Sequence, residues 1–137
     1  VHDYRATGDQ SFLVQEYLPD ATDYRAMVVD GDYVGAVERR LPDDERERGR
    51  WKHNVHRGAV AEGVELPPDL RQLAERTADV LDIDYLGVDL LVTGDRAVVN
   101  ETNARPTIDS ATKYEAGFWD RLAGLIHSTA SEGPRTK

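Results

Sequence analysis

The chain has 137 residues, of which 26 are acidic and 17 are Lys or Arg, giving a formal net charge of -9, and it contains no cysteine. Its length suits one domain with a core but is short for an enzyme that must hold a nucleotide and two further substrates. The charge argues against nucleic acid as a partner, since a phosphate backbone repels such a surface, and the lack of cysteine excludes disulfides and thiolate chemistry.

In chain order, residues 1–10 are polar and patternless and read as flexible. Ser11–Leu18 (SFLVQEYL) reads as a strand closed by Pro19. Tyr24–Val29 and Tyr33–Arg39 are β-rich runs around Asp30-Gly31-Asp32, a hairpin signal because glycine accepts the positive φ of tight turns. These segments predict three antiparallel strands in series. Residues 42–50 (PDDERERGR) carry dense charge of both signs without an apolar period, which predicts an exposed, mobile loop. Pro67-Pro68 opens a helix to about Asp82, with Leu70, Leu73, Ala74, Thr77, Val80 and Leu81 on one face. Leu86–Val92 and Ala97–Thr102 are two further strands joined by Thr93-Gly94-Asp95-Arg96. A last helix spans about Lys113 to His127, with Phe118, Leu122, Leu125 and Ile126 as its apolar stripe, and residues 128–137 read as frayed. Together these make an α+β domain, an antiparallel β-sheet with packed helices. No apolar run approaches the roughly 20 residues that span a bilayer, so the chain is read as soluble, untargeted and without a membrane partner.

Chemistry concentrates in residues 87–106, GVDLLVTGDRAVVNETNARP. A three-residue loop, Gly94–Arg96, pairs Thr93 with Ala97 and sets Asp89 opposite Glu101, with Asn103 two residues further on the same face. A two-residue loop instead puts Asp89 on the face of Asn100. Facing carboxylates repel unless a cation lies between them. A magnesium ion meets that need, being hard, partial to oxygen ligands and content with one or two protein carboxylates. On that logic, neutralising both acids, Asp89→Asn with Glu101→Gln, should stabilise the metal-free protein. The competing reading is that these are solvated residues on the open face of a hairpin.

A second group is the basic stretch WKHNVHRG. Its Lys52, Asn54 and Arg57 suit a triphosphate, and Gly58 lets the backbone approach one closely. The alternative is plain counter-charge for neighbouring acids. Arg39 and Arg40 are adjacent on a strand and point to opposite faces, so at most one can serve a given ligand. Tyr17 and Phe118 read as packing residues.

Taken in order, VQEYL, DYRAMVV, AVERR, NVHRGA, GVDLLV and NETNARP resemble the ATP-grasp superfamily, and within it the RimK-like ligases, over residues 11–127. The most specific element is Asp89 followed by Glu101-x-Asn103, which in that family supplies the magnesium ligands. The resemblance implies further roles. Gln15, Glu16, Tyr17 and Leu18 would border the adenine, Asp23 the ribose, and Arg25, Asn54 and Arg57 the phosphate and acyl-acceptor side of the cleft. Lys52 stands where relatives place an arginine facing the phosphates, and keeps the charge without the planar fork. Relatives read Asn-x-x-Pro-Gly after the metal strand, whereas here Asn103-Ala104-Arg105-Pro106 is followed by Thr107, which allows a different acceptor-side loop. ATP-grasp enzymes also cradle phosphates with lysines from an earlier half of the fold, and no lysine precedes Lys52. Residues 1–137 are therefore read as the carboxyl-terminal subdomain of an ATP-grasp fold.

The function this resemblance implies is that of an ATP-dependent carboxylate-amine ligase. The γ-phosphate of ATP would pass to a carboxylate, and an amine such as an amino acid would attack the acylphosphate. Lys52 and Arg57 would offset charge on the transferred group, with Mg2+, or Mn2+ in its place, on the phosphates. The isolated fragment is expected to be inactive. Still open are a non-catalytic nucleotide- or metal-binding module of degenerate ATP-grasp fold, a glutathione-synthase-like or D-alanine-ligase-like enzyme, and a structural domain. A cytoplasmic location and a homo-oligomer fit the same family.

Overall fold

The structure, a computed structural model, describes residues 14–18, 20–40, 60–108 and 114–132. Its elements are β1 (Thr22–Val29), β2 (Asp32–Arg40), β3 (Val60–Val64), α1 (Pro68–Leu81), β4 (Tyr85–Val92), β5 (Ala97–Asn103) and α2 (Phe118–Glu132). The strands form one antiparallel sheet in the order β3-β2-β1-β4-β5, the α+β arrangement expected from the sequence. The expected strand over residues 11–18 is not found in its described part, since residues 14–18 lie in no strand. Both edges of β1 are taken, by β2 and β4, which leaves no ladder beside it for an earlier strand. Val14 at 79% and Tyr17 at 63% exposure bury no apolar face that could fix one, and Tyr17 is not the packing residue expected.

The β1–β2 turn has two residues, Asp30 (φ 53) and Gly31 (φ 80), both left-handed as the twist of a tight hairpin requires, so that Val29 pairs with Asp32. Continued unbroken, that register would bring Glu38 opposite Asp23. It is broken by a bulge at which Val34 and Gly35 together face Met27, and beyond it Ala26 pairs with Ala36 and Asp23 with Arg39. Gly35 has φ 124, and a Cβ there would lie 2.8 Å from the Tyr114 Cα, so the chain before α2 closes directly on the bulge. The Glu115 N–H donates to the Val34 carbonyl at 3.1 Å across this contact.

Helix α1 begins behind Pro67 with Pro68 at its first position and ends at Asp82, whose left-handed backbone (φ 53) turns its N–H onto the Ala78 and Asp79 carbonyls. Leu70, Ala74 and Ala78, four residues apart, are its buried line, with Leu73 packed beside them. The expected face included Val80 and Leu81, which are 81% and 45% exposed. Val80 lies roughly 120° round the helix from Ala74, and Leu81 ends the last turn against the cap. Helix α2 starts at Phe118 rather than near Lys113 and continues through residues 128–132, expected as part of a frayed end. Phe118 is buried and stacks on Tyr114 with ring centroids 4.8 Å apart, while Ile126 is 60% exposed and falls outside the buried stripe.

The two helices lie on opposite faces. Ala26, Val28, Ala36, Leu86, Val88 and Leu90 meet α1, whereas Met27, Val29, Val34 and Val37 meet Tyr114 and Phe118. This second face is divided. Its apolar half lies under α2, and the rest carries charge. Residues 1–10, the 42–50 loop, Lys52, Asn54, Arg57 and residues 133–137 lie outside the described residues. Among the described residues no helix is long and apolar enough to cross a membrane.

Candidate functional site

Strand alternation sends Asp23, Arg25, Arg39, Asp89, Glu101 and Asn103 to the second face, because each lies an even number of residues from Met27, Val37 or Gly87 on its strand or stands opposite Gly87 or Asp89. Asp23 and Asp89, at 7% and 2% exposure, are the buried charged residues among those described. A buried carboxylate must be paired, and both are. Arg25, the register partner of Asp89, grips it with both ends of its fork: Nε donates to Oδ1 at 2.7 Å and Nη2 to Oδ2 at 2.8 Å. Arg39 bridges the two acids, donating from Nε to Asp23 at 3.1 Å and lying 3.0 Å from Asp89 Oδ2 through Nη2. Hydrogen bonding to Asp89 is the main cause that raises the Arg25 pKa above its ordinary value against the opposing effect of burial, and the charges of Asp89, Glu101 and Asp23 add to it.

Asp89 does face Glu101, and Asn103 follows on the same face opposite Gly87, as the sequence predicts. The route differs from the expected three-residue loop. Val92 pairs with Ala97, so four residues turn, and the Thr93 N–H donates to the Arg96 carbonyl at 2.8 Å. That register alone would set Asp89 against Asn100. A bulge at Asn100 restores the pairing, with Leu90 opposite Val99 but Asp89 opposite Glu101. The repulsion anticipated between the acids is met by Arg25 and Arg39, not left for a metal alone to relieve.

The residues after β5 return over this face. Pro106 is buried, and a Cβ on Gly87 would lie 2.8 Å from the Pro106 Cβ, so glycine lets the Asn103–Pro106 turn cross the sheet beside Asp89. Gly87→Ala should therefore lower stability by about 2 kcal/mol in urea unfolding. An unchanged midpoint would mean that the proline shifts freely.

Gln15, Glu16 and Tyr17 are exposed and Leu18 half-buried. Glu16 binds Arg96 through both oxygens, at 2.7 and 3.2 Å, which holds its pKa below the usual value and ties this segment to the β4–β5 turn. Thr22 pairs with Val92 just before that turn, so residues 15–18 approach the charged end of the sheet. The expected group thus assembles in its described part: Asp23, Arg25, Asp89, Glu101 and Asn103 together, with 15–18 at the rim. Arg39 was named with Arg40 but not placed at the site, because it stands opposite Asp23 only through the bulge at Val34-Gly35. Arg40 turns to the other face and pairs with Glu38, so one arginine of the two serves the site, as anticipated. A shallow hollow lined by Asp30, Asp79, Asp82 and Asp84 lies at the opposite end of β1 and contains none of these residues.

The donor set suits a hard divalent cation: two carboxylates facing across a ladder and an amide oxygen beside them, with Glu101 open to solvent. Among the described residues no three of His, Cys, Asp and Glu converge as a metal cluster, so such an ion would complete its shell from Asn103, water and ligand oxygens.

Comparison with known proteins gives matches to a family model, to curated proteins and to solved structures. The model of the RimK-like ATP-grasp domain matches residues 4–117. The chain is 38% identical over 128 residues to a protein of Thioalkalivibrio sulfidiphilus named Probable alpha-L-glutamate ligase, covering 92% of this chain and 40% of that protein. It is 36% identical over 103 residues to the ribosomal protein bS6--L-glutamate ligase of Escherichia coli, covering 74% of this chain and 33% of that one. Among solved structures, the ATP-grasp ligase PsnB complexed with minimal precursor, Mg and ADP superposes with a TM-score of 0.54 at 21% identity, over 80% of this chain and 34% of PsnB. The chain spans less than half the length of each.

Proposed function

The chain belongs to the RimK-like ATP-grasp family, and from that premise we propose that it is the carboxyl-terminal, magnesium- and phosphate-holding portion of an ATP-dependent carboxylate-amine ligase. The observation that carries this reading is the pairing of Asp89 with Glu101 across β4 and β5, with Asn103 on the same face and Arg25 opposite Asp89 on β1. Asp89, Glu101 and Asn103 would hold Mg2+, or Mn2+ in its place, which when bound neutralises and aligns the phosphates of ATP. Arg25 supplies positive charge from the sheet, and Lys52 and Arg57 would offset the charge on the transferred γ-phosphoryl group. Gln15–Leu18 would border the adenine at the rim, and Asp23 would approach the ribose from its buried place beside Arg39. Transfer to a carboxylate gives an acylphosphate, and attack by an amine expels phosphate and forms the amide. The names of the relatives support glutamate as that amine. A cytoplasmic ligase is the setting that fits.

Thermal unfolding with a non-hydrolysable ATP analogue, with magnesium, and with both tests this reading, since a ligand that binds only the folded form raises the midpoint. Both together should shift the midpoint more than the two separately. Glu101→Gln, an exposed change, should abolish that extra shift while leaving the ligand-free midpoint in place. No shift from any combination would count against a Mg-nucleotide site in these residues.

A further inference from the structure

The charges around Asp89 go further than the metal reading from which this inference starts. Within the described cluster, Asp23, Asp89 and Glu101 bring three negative charges and Arg25 and Arg39 two positive ones, leaving one net negative charge. A divalent cation alone would overcompensate it. The two arginines are also held differently. Arg39 is anchored from two sides, by Asp23 and by Asp89. Among the described residues Arg25 bonds to Asp89 alone, and its fork, reaching over from β1, covers both carboxylate oxygens, while Glu101 faces Asp89 from β5. An ion coordinated by Asp89 at the short distances magnesium requires, about 2.0–2.1 Å, would stand against that guanidinium.

We infer that Arg25 occupies, in the ligand-free chain, the Asp89 carboxylate oxygens on which the divalent cation draws, while Arg39 keeps Asp89 in place throughout. The site is then an exchange site: the cation enters together with a polyphosphate anion, and the anion receives Arg25. The ligand class is a metal–polyphosphate complex, and bare metal binds weakly because it must displace a bidentate ion pair without giving the arginine another partner. The coupling is reciprocal, so the anion in turn binds better with the metal than without it.

Calorimetric titration of the 137-residue chain with magnesium alone provides the first test. Arg25→Gln should bind the ion about tenfold more tightly than the native chain, the size expected of a coupling of this kind. Arg96→Gln removes an equal charge from the exposed pair with Glu16 and should change the affinity less than twofold. Equal gains in both variants would make the effect one of overall charge and overturn the inference, as would no gain in a folded Arg25→Gln chain. The second test needs no variant. The assigned Arg25 Nε–H resonance of the native chain should stay in place on addition of magnesium alone and move with magnesium plus a non-hydrolysable ATP analogue, while that of Arg39 keeps its Asp23 contact. Movement with magnesium alone would overturn the exchange but leave the metal site standing. No response to either addition would overturn the metal reading and this inference with it.

Discussion

Replacing Asp89 with asparagine should destabilise the ligand-free chain by about 3 kcal/mol, the scale of breaking a buried ion pair by removing one partner. The amide keeps the size of the side chain but cancels the charge that Arg25 and Arg39 share, and both guanidiniums are largely buried, with side-chain exposures of 18% and 11%. Urea unfolding reads the loss as a lower midpoint at unchanged slope. Glu101→Gln should be close to neutral because Glu101 lies open to water. This reverses the expectation from the facing acids alone, that neutralising Asp89 and Glu101 together would stabilise the metal-free protein. A more stable Asp89→Asn chain would restore that expectation, since repulsion would then outweigh the arginine pairs.

Gly35→Ala should cost a similar amount, about 3 kcal/mol, for a different reason. Its φ of 124 is one that L side chains rarely adopt, and the added carbon would meet the Tyr114 Cα at 2.8 Å and the Glu115 nitrogen at 3.0 Å, both backbone atoms without a rotamer to yield. Gly31→Ala separates strain from crowding: its φ is 80, but nothing lies within 4 Å of the new carbon, so it should cost only about 1 kcal/mol. Equal losses at the two positions would show that α2 does not close tightly on the bulge. A fall in stability for Gly35→Ala should come with loss of the Asp23–Arg39 pairing, because the bulge sets that register.

The elements with a strong local signal were legible in the sequence. Asp30-Gly31-Asp32 marks the first hairpin, although Asp32 already belongs to β2, Pro67-Pro68 marks the start of α1, and the apolar run from Leu86 to Val92 marks β4. The facing of Asp89 and Glu101 was legible too, but by a route the sequence could not separate from its rival. The turn is one residue longer than assumed, and the bulge at Asn100 compensates. Bulges escape a period-two reading because they carry no composition of their own here. The first, at Val34-Gly35, is what brings Arg39 rather than Glu38 opposite Asp23. The strand expected over residues 11–18 has β-rich composition, yet composition does not reveal that β2 and β4 take both sides of β1. Val80 and Leu81 were assigned to one face of α1 with Leu70, Leu73, Ala74 and Thr77 by helical spacing, whereas the buried line is Leu70, Ala74 and Ala78. The arginine pairing of Asp89 was out of reach because Arg25 and Asp89 are 64 residues apart and meet only through β1 and β4.

That separation bears on how the chain reaches its native state. The β1–β2 and β4–β5 hairpins can each close over a short stretch of sequence, in the microseconds typical of such units. Neither contains a complete charge cluster: Asp23, Arg25 and Arg39 belong to the first hairpin and Asp89, Glu101 and Asn103 to the second. Only the zippering of β1 onto β4, after a long and entropically costly loop closure, brings the two sets within reach. The seam between the hairpins is thus both the slow step of assembly and the line on which the arginines meet the facing acids. A chain caught before that step would hold Asp89, Glu101 and Asn103 together, without the positive charge that offsets them.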